Sequence, residues 1–105
     1  MRILLDECVP WPLRHLLVGH ECMTASYRGW GGFSNGELLR MAEAEFDLFI
    51  TADQNLRYQQ NLAERRIAIL ELSTNDLRRL QAAAGMITNA VNAMAAGDYR
   101  HLDVR

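Results

Sequence analysis

DLFIT, residues 47–51, is the stretch that decides the fold. It is short, apolar and rich in β-forming residues, a pattern typical of a strand buried inside a parallel sheet. Residues 34–45 before it and residues 55–65 after it have the spacing of helices, and IAILEL at residues 67–72 predicts a further buried strand. Strands that alternate with helices indicate a parallel sheet between helical layers.

The N-terminal part of the chain shows the same alternation. RILLD at residues 2–6 predicts the first strand, and Pro12 predicts the start of a short helix that ends near Val18. Residues 20–25 predict the second strand, and SYRGWGGF at residues 26–33 predicts a glycine-rich aromatic loop. The helix at residues 34–45 follows directly from this loop.

A single long helix is predicted near the C-terminus, over residues 75–96, with Gly97 as its natural end. Apolar residues recur there at spacings of three and four, namely Leu77, Leu80, Ala84, Ile87, Val91 and Met94. Residues 98–105 carry no pattern that assigns them to an element. Residues 1–105 are therefore predicted to form one α/β domain, with three layers (α/β/α) and a central four-stranded parallel sheet.

The composition excludes several classes of protein. Half of the 105 residues are hydrophobic and the net charge is −2, which excludes a disordered chain and gives no support to tight, sequence-independent DNA binding. No apolar run approaches the roughly 18 residues of a membrane span, and the acidic pair Asp6-Glu7 comes too early for a signal peptide. Two cysteines make no disulfide framework. We expect a soluble cytoplasmic protein with no membrane partner.

Two aspartates follow strands of the predicted sheet. Asp6 closes the first strand and Asp53 lies two residues beyond the third, so the parallel topology brings both to the same edge. Neighbouring carboxylates repel each other unless a cation or a shared proton intervenes, and oxygen ligands favour Mg²⁺ or Mn²⁺. Such a cation can activate water against a phosphodiester. The alternative is structural, because an aspartate after a strand often caps the next helix.

Glu37 is a third candidate, with two interpretations that the spacing leaves open. Ser34-Asn35-Gly36-Glu37 has the form of a capping box, in which Ser34 and Glu37 satisfy exposed backbone amides at a helix start. Glu37 could equally be a metal ligand. Glu7 is expected to point away from Asp6 and to play a supporting role, together with the neutral oxygen donors Asn35 and Asn55.

Two segments carry a resemblance to a known family. LLDECVP (residues 4–10) and GWGGFSNGELLRMAEAEFDLFITADQNLRYQQNL (residues 29–62) resemble the PIN-like family of small prokaryotic proteins, which is related to VapC-type toxin ribonucleases. The resemblance covers about residues 2–72. It implies a PIN-like fold with strand order 2-1-3-4 and cleavage of RNA with Mg²⁺ or Mn²⁺. It also implies a cognate antitoxin-like protein as partner.

The resemblance assigns the site residue by residue. It implies that the catalytic and metal-binding residues are Asp6, Glu37 and Asp53. Asn35 stands where many relatives carry aspartate and Gly36 where many carry glutamate, and a fourth acid has no match beyond Asp76. This smaller acidic set leaves a second hypothesis open, a module that binds nucleic acid or protein without catalysis.

Further predictions concern partners. Three arginines on or after the helix that follows Asp53 are candidates for contacts with RNA phosphates: Arg57, Arg65 and Arg66. Trp11, Trp30 and the long C-terminal helix predict apolar surface that a homodimer would bury. A phosphoryl-receiver domain also has an acidic sheet edge, but it needs a lysine, and the chain contains none.

Overall fold

The computed structural model describes residues 1–54 and 66–104. Its elements alternate along the chain as the sequence predicts, with boundaries that differ by one or two residues. In chain order they are β1 (Arg2–Leu5), a 3₁₀ helix (Trp11–Leu16), β2 (Glu21–Thr24), α1 (Asn35–Glu43), β3 (Leu48–Thr51), β4 (Ala68–Leu72), α2 (Leu77–Ala82), α3 (Ala84–Ala93) and β5 (Tyr99–Leu102). The helix predicted over residues 55–65 lies outside the described residues.

All strands belong to one parallel sheet, in the order β2-β1-β3-β4-β5. The first four strands have the expected order, but the prediction of four strands was wrong, because the C-terminal tail adds β5. Tyr99 pairs with Ile69 of β4, and Leu102 pairs with Leu72. β5 is an edge strand, and two of its four residues are exposed. Its sequence, YRHL, therefore lacks the apolar run that predicts a buried strand.

The sheet is covered on both faces, which explains why its central strands are continuously apolar. On one face Leu5 and Ile50 belong to a buried cluster with residues of the 3₁₀ helix, α2 and α3, among them Leu13, Leu80, Ile87 and Val91. On the other face Leu4 and Phe49 belong to a cluster with α1 and the loop before it, including Leu38, Leu39, Ala42 and Trp30. No helix within residues 1–54 and 66–104 has the length and apolar character that crossing a bilayer requires.

Two predictions about the helices and their surface are corrected. The segment predicted as one helix over residues 75–96 breaks at Ala83, whose φ of −101° and ψ of 21° leave the helical range. The break lets α2 contact the 3₁₀ helix while α3 buries Ile87 and Val91. Trp30 offers no surface to a dimer, because it is only 7% exposed and packs edge-on against Phe46 at 6.1 Å.

Candidate functional site

The register of β1 and β3 places Asp6 beside Thr51. Leu5 pairs with Ile50, and the backbone N–H of Asp6 donates to the carbonyl of Ile50 at 2.9 Å. The Thr51 hydroxyl donates to Oδ2 of Asp6 at 2.8 Å and accepts the backbone N–H of Asp53 at 3.0 Å. Thr51 is completely buried. A single buried hydroxyl therefore connects the two segments that carry Asp6 and Asp53.

Asp6 and Asp53 line the same cleft, of about 480 Å³. Glu7 joins them, and the other lining residues are Cys8, Ala25, Trp30, Gly31, Phe33 and Leu38. Within the described part of the chain, no arginine or histidine lines this cleft. Because the described lining holds three carboxylates and no basic side chain, the cleft attracts cations.

Hydrogen bonds hold the Asp6 carboxylate at both oxygens. Oδ1 accepts the backbone N–H of Glu7 at 2.8 Å, and Oδ2 accepts the Cys8 thiol at 3.4 Å as well as the Thr51 hydroxyl. A carboxylate oxygen has two lone-pair sites, so Oδ1 keeps capacity for a further ligand. The carboxylate is thus oriented before anything binds, which lowers the cost of binding.

Cys8 is a cleft residue to which the sequence analysis assigned no role. Its sulfur accepts the backbone N–H of Ala52 at 3.4 Å and lies 3.7 Å from the Thr51 hydroxyl. Burial raises the pKa of the Cys8 thiol, and the negative charge of Asp6 raises it further, against the lowering effect of the Ala52 N–H. With no cation bound, Cys8 is therefore a thiol rather than a thiolate at neutral pH.

Glu7 lies in the cleft, although it was expected to point elsewhere. Strand alternation stops at Leu5, because the chain turns after β1 and the N–H of Val9 donates to the carbonyl of Asp6 at 3.0 Å. Oε1 of Glu7 accepts the hydroxyl of Ser26 from the loop after β2. Gly31 packs so closely that a Cβ there would collide with the same oxygen. The loop therefore holds the Glu7 carboxylate against the strand ends.

Glu37 occupies the first turn of α1 and is exposed. The capping interpretation is supported by one bond, since the Ser34 hydroxyl accepts the Glu37 backbone N–H at 3.4 Å. The described lining of the cleft contains the neighbouring Leu38 but not Glu37. Asn35 is the first residue of the helix. The metal-ligand role of Glu37 stays a prediction.

Of the three predicted RNA-contacting arginines, Arg66 is the one within the described residues, and it does not line the cleft. Arg66 precedes β4 at the amino-terminal edge of the sheet, opposite the cleft, and its backbone N–H donates to Glu43 Oε1 at 2.8 Å. Asn55, Arg57 and Arg65 lie outside the described residues. Arg66 is exposed, as expected of an arginine at the end of a strand.

Comparisons with known proteins assign neither a family nor a function to the chain. The chain matches no family model, no curated protein and no solved structure. Among residues 1–54 and 66–104, no three His, Cys, Asp or Glu side chains form a complete metal-ligand group. The case for a cation at this site therefore depends on the donor chemistry of the cleft.

That chemistry fits a hard divalent cation. Mg²⁺ commonly takes one or two carboxylates from the protein and completes its shell with water and substrate phosphates. Asp6 and Asp53 supply such a pair within one cleft, and Glu7 adds a third negative charge. Thr51 is the residue that the sequence analysis missed. Its place beside Asp6 follows from the register between β1 and β3, which no pattern within one strand reveals.

Proposed function

We propose that this chain is a Mg²⁺- or Mn²⁺-dependent ribonuclease of PIN-like fold whose active site is the cleft of Asp6 and Asp53. The observation that carries the proposal is that these two carboxylate residues, which follow different strands, line one cleft and are connected through the Thr51 hydroxyl. The strand order β2-β1-β3-β4 and the resemblance of LLDECVP and its partner segment also support it.

The proposed roles follow from the hydrogen bonds. Asp6 and Asp53 would hold the cation, which when bound supplies an activated water and neutralises charge on the scissile phosphate. Thr51 and the backbone N–H of Glu7 orient the Asp6 carboxylate. Glu7 adds negative charge to the cleft, and Glu37 is kept as the third proposed ligand.

In this proposal, the negative charge of the cleft makes RNA binding depend on the divalent cation. The described lining presents Asp6, Glu7 and Asp53 and no basic side chain, so it repels a phosphodiester when no cation is bound. Binding of the RNA backbone should therefore require the same divalent ion as cleavage. This requirement distinguishes the cleft from a basic groove, which binds RNA through arginine or lysine alone.

The decisive experiment is cleavage of a mixed RNA pool by the wild type and by Asp53→Asn, each with Mn²⁺ and with EDTA. Asp47→Asn is the matched control, because Asp47 precedes β3 at the opposite edge of the sheet, where it accepts the Arg2 N–H at 2.8 Å. We expect cleavage by the wild type and the control in Mn²⁺ only, and a loss of at least about 100-fold in Asp53→Asn. Cleavage that is indifferent to Asp53 would refute the proposed site.

A second candidate function is a PIN-like module that binds nucleic acid or protein without catalysis. The exposed position of Glu37 outside the described cleft lining favours it, as do Asn35 and Gly36 in place of acids. A folded wild type that binds RNA but neither cleaves it nor binds Mn²⁺ by calorimetry near millimolar concentration would select this candidate.

The proposed partners besides RNA are a cognate antitoxin-like protein and a second copy of the chain, in a cytoplasmic toxin–antitoxin pair. The surface that supports a protein partner is a groove of about 600 Å³ beside the edge strand β2, lined by Trp11, Cys22, Met23, Thr24 and Tyr27. Tyr27 is 80% exposed and Trp11 40%. Light scattering that shows a strict monomer at high concentration would remove the homodimer.

A further inference from the structure

The loop between β2 and α1 is anchored at several points beside the acidic edge. The N–H of Ala25 donates to the carbonyl of Leu5 at 3.3 Å, and the N–H of Trp30 donates back to the carbonyl of Ala25 at 2.9 Å. The Trp30 ring is buried, and the Arg28 guanidinium lies over it at 4.7 Å. Ser26 holds Glu7 from the same loop. The loop is thus a fixed wall of the cleft.

Phe33 is the last residue of this wall before α1. Its N–H donates to the carbonyl of Trp30 at 3.1 Å, and Ser34, the next residue, is the N-cap of the helix. Phe33 lines the same cleft as Asp6 and Asp53, yet it is 41% exposed. A partly exposed aromatic residue therefore lines the same cleft as the carboxylates.

A purely structural role accounts for part of this observation. A residue directly before an N-cap often packs on the fourth residue of the helix as a hydrophobic staple, and here that residue is Leu38, which also lines the cleft. A staple requires an apolar side chain, and leucine satisfies it as well as phenylalanine does. It gives no reason for an aromatic ring at a cleft-lining residue that remains two-fifths exposed.

We propose that Phe33 is a substrate-binding residue that stacks on a nucleobase and thereby positions the strand for the site of Asp6 and Asp53. The inference rests on the proposed function. The described lining of the cleft combines the carboxylates of Asp6, Glu7 and Asp53, which would take a phosphate through a divalent cation, with the ring of Phe33, which would take a base. A nucleotide has the same two parts, and stacking tolerates every base because each has a π face.

The test uses a short single-stranded RNA that carries one 2-aminopurine, whose fluorescence falls when it stacks. Binding is measured with Ca²⁺ in place of Mn²⁺, and a gel verifies that the RNA stays intact. Phe33→Leu keeps the staple but removes the ring, and Phe33→Trp restores an aromatic face. Met86→Leu is the matched control, because Met86 is a similarly exposed apolar side chain, at 48%, outside the described lining of the cleft.

We expect Phe33→Leu to weaken RNA binding about tenfold and to lose the 2-aminopurine quench. Phe33→Trp and Met86→Leu should bind and quench as the wild type does. Unchanged binding and quench in Phe33→Leu would overturn the inference, even if the wild type cleaves RNA. If the wild type does not cleave RNA but its quench depends on Phe33, the nuclease proposal fails and the stacking role stands. A wild type that neither binds nor cleaves RNA would overturn both.

Discussion

Thr51 donates its hydroxyl hydrogen to Oδ2 of Asp6 at 2.8 Å. The two residues end neighbouring parallel strands, and the same hydroxyl accepts the N–H of Asp53 at 3.0 Å. The hydroxyl is buried, so its bonds have no competition from water. A charged carboxylate as acceptor makes the bond to Asp6 stronger than a neutral one.

We therefore expect Thr51→Val to lose about 1–3 kcal/mol of unfolding free energy, because the isosteric methyl group leaves the Asp6 carboxylate and the Asp53 N–H with one partner fewer. Thr51→Ser should recover most of this loss. Urea denaturation measures the stability, and calorimetry measures Mn²⁺ affinity, which should fall in Thr51→Val alone. Equal Mn²⁺ affinity in the valine and serine variants would show that the hydroxyl does not position the site.

The placement of Glu7 and Glu37 predicts unequal roles in cation binding. Glu7→Gln removes a negative charge from the cleft, whereas Glu37→Gln removes one outside the described lining of the cleft. We expect Mn²⁺ affinity to fall roughly tenfold in Glu7→Gln and less than about threefold in Glu37→Gln. A larger loss in Glu37→Gln would instead identify the helix acid as the direct ligand.

Gly31 and Gly32 offer a matched pair of substitutions. A Cβ at Gly31 would collide with Oε1 of Glu7, the end of a flexible side chain, whereas a Cβ at Gly32 meets nothing within 4 Å. Gly31→Ala should therefore displace Glu7 and weaken Mn²⁺ binding as Glu7→Gln does, with a loss of stability of about 1 kcal/mol or less. Gly32→Ala should leave Mn²⁺ affinity unchanged. Calorimetry and urea denaturation of both variants check this, and equal Mn²⁺ affinities would contradict it.

Glu71 is a buried carboxylate outside the cleft, with 1% of its surface exposed. Its oxygens accept the hydroxyl of Tyr99 and lie 3.2 Å from Nδ1 of His101, both on the edge strand β5. Tyr99→Phe removes a donor from a buried charge and should cost about 1–3 kcal/mol in urea denaturation. Tyr27→Phe, at a tyrosine that is 80% exposed, should change stability by no more than about 0.5 kcal/mol. Equal stabilities of the two variants would mean that the Tyr99 hydroxyl does not stabilise β5.

The pKa of the Cys22 thiol should depend on the positive charge of Arg14. Burial raises the pKa of Cys22, and the positive charge of Arg14, whose guanidinium stacks on Trp11 at 4.3 Å, lowers it. Arg14→Gln removes a charge that stabilises the thiolate, so the pKa of Cys22 should rise and its alkylation should shift to higher pH. Mass spectrometry of alkylated peptides measures the shift, with Cys8 as the internal reference. A profile that stays in place would show that Arg14 does not influence the thiol.

Local sequence patterns were enough to predict the central parallel sheet and the common edge of Asp6 and Asp53. Residues 2–6, 47–51 and 67–72 are short apolar runs, and such runs are stable only when both faces of a strand are buried. Burial on both faces requires helical layers and parallel strands, and parallel strands share one carboxyl edge. For that reason Asp6 and Asp53 could be assigned to a common edge before any coordinates were known.

Only the tertiary structure decided the features that depend on contacts between distant residues. β5 forms because β4 offers its edge, and the polar Tyr99 and His101 are satisfied there by Glu71. The residues of β5 show no regular alternation of apolar and polar side chains, because their polar groups bind a buried residue of β4. The sequence of this segment alone therefore does not predict a strand. The break at Ala83 likewise follows from packing rather than from helix propensity.

In the site, too, some features follow from the sequence and others depend on tertiary contacts. Residue types and strand ends identified Asp6 and Asp53, but the place of Glu7 in the cleft depends on a turn after β1 and on Ser26 from another loop. The role of Thr51 depends on the register between β1 and β3, which a pattern along one strand cannot specify. Local patterns thus indicated which carboxylates share one edge of the sheet, because strand alternation can be read along the chain. What orients these carboxylates depends on register and loop packing, which join residues far apart in the chain.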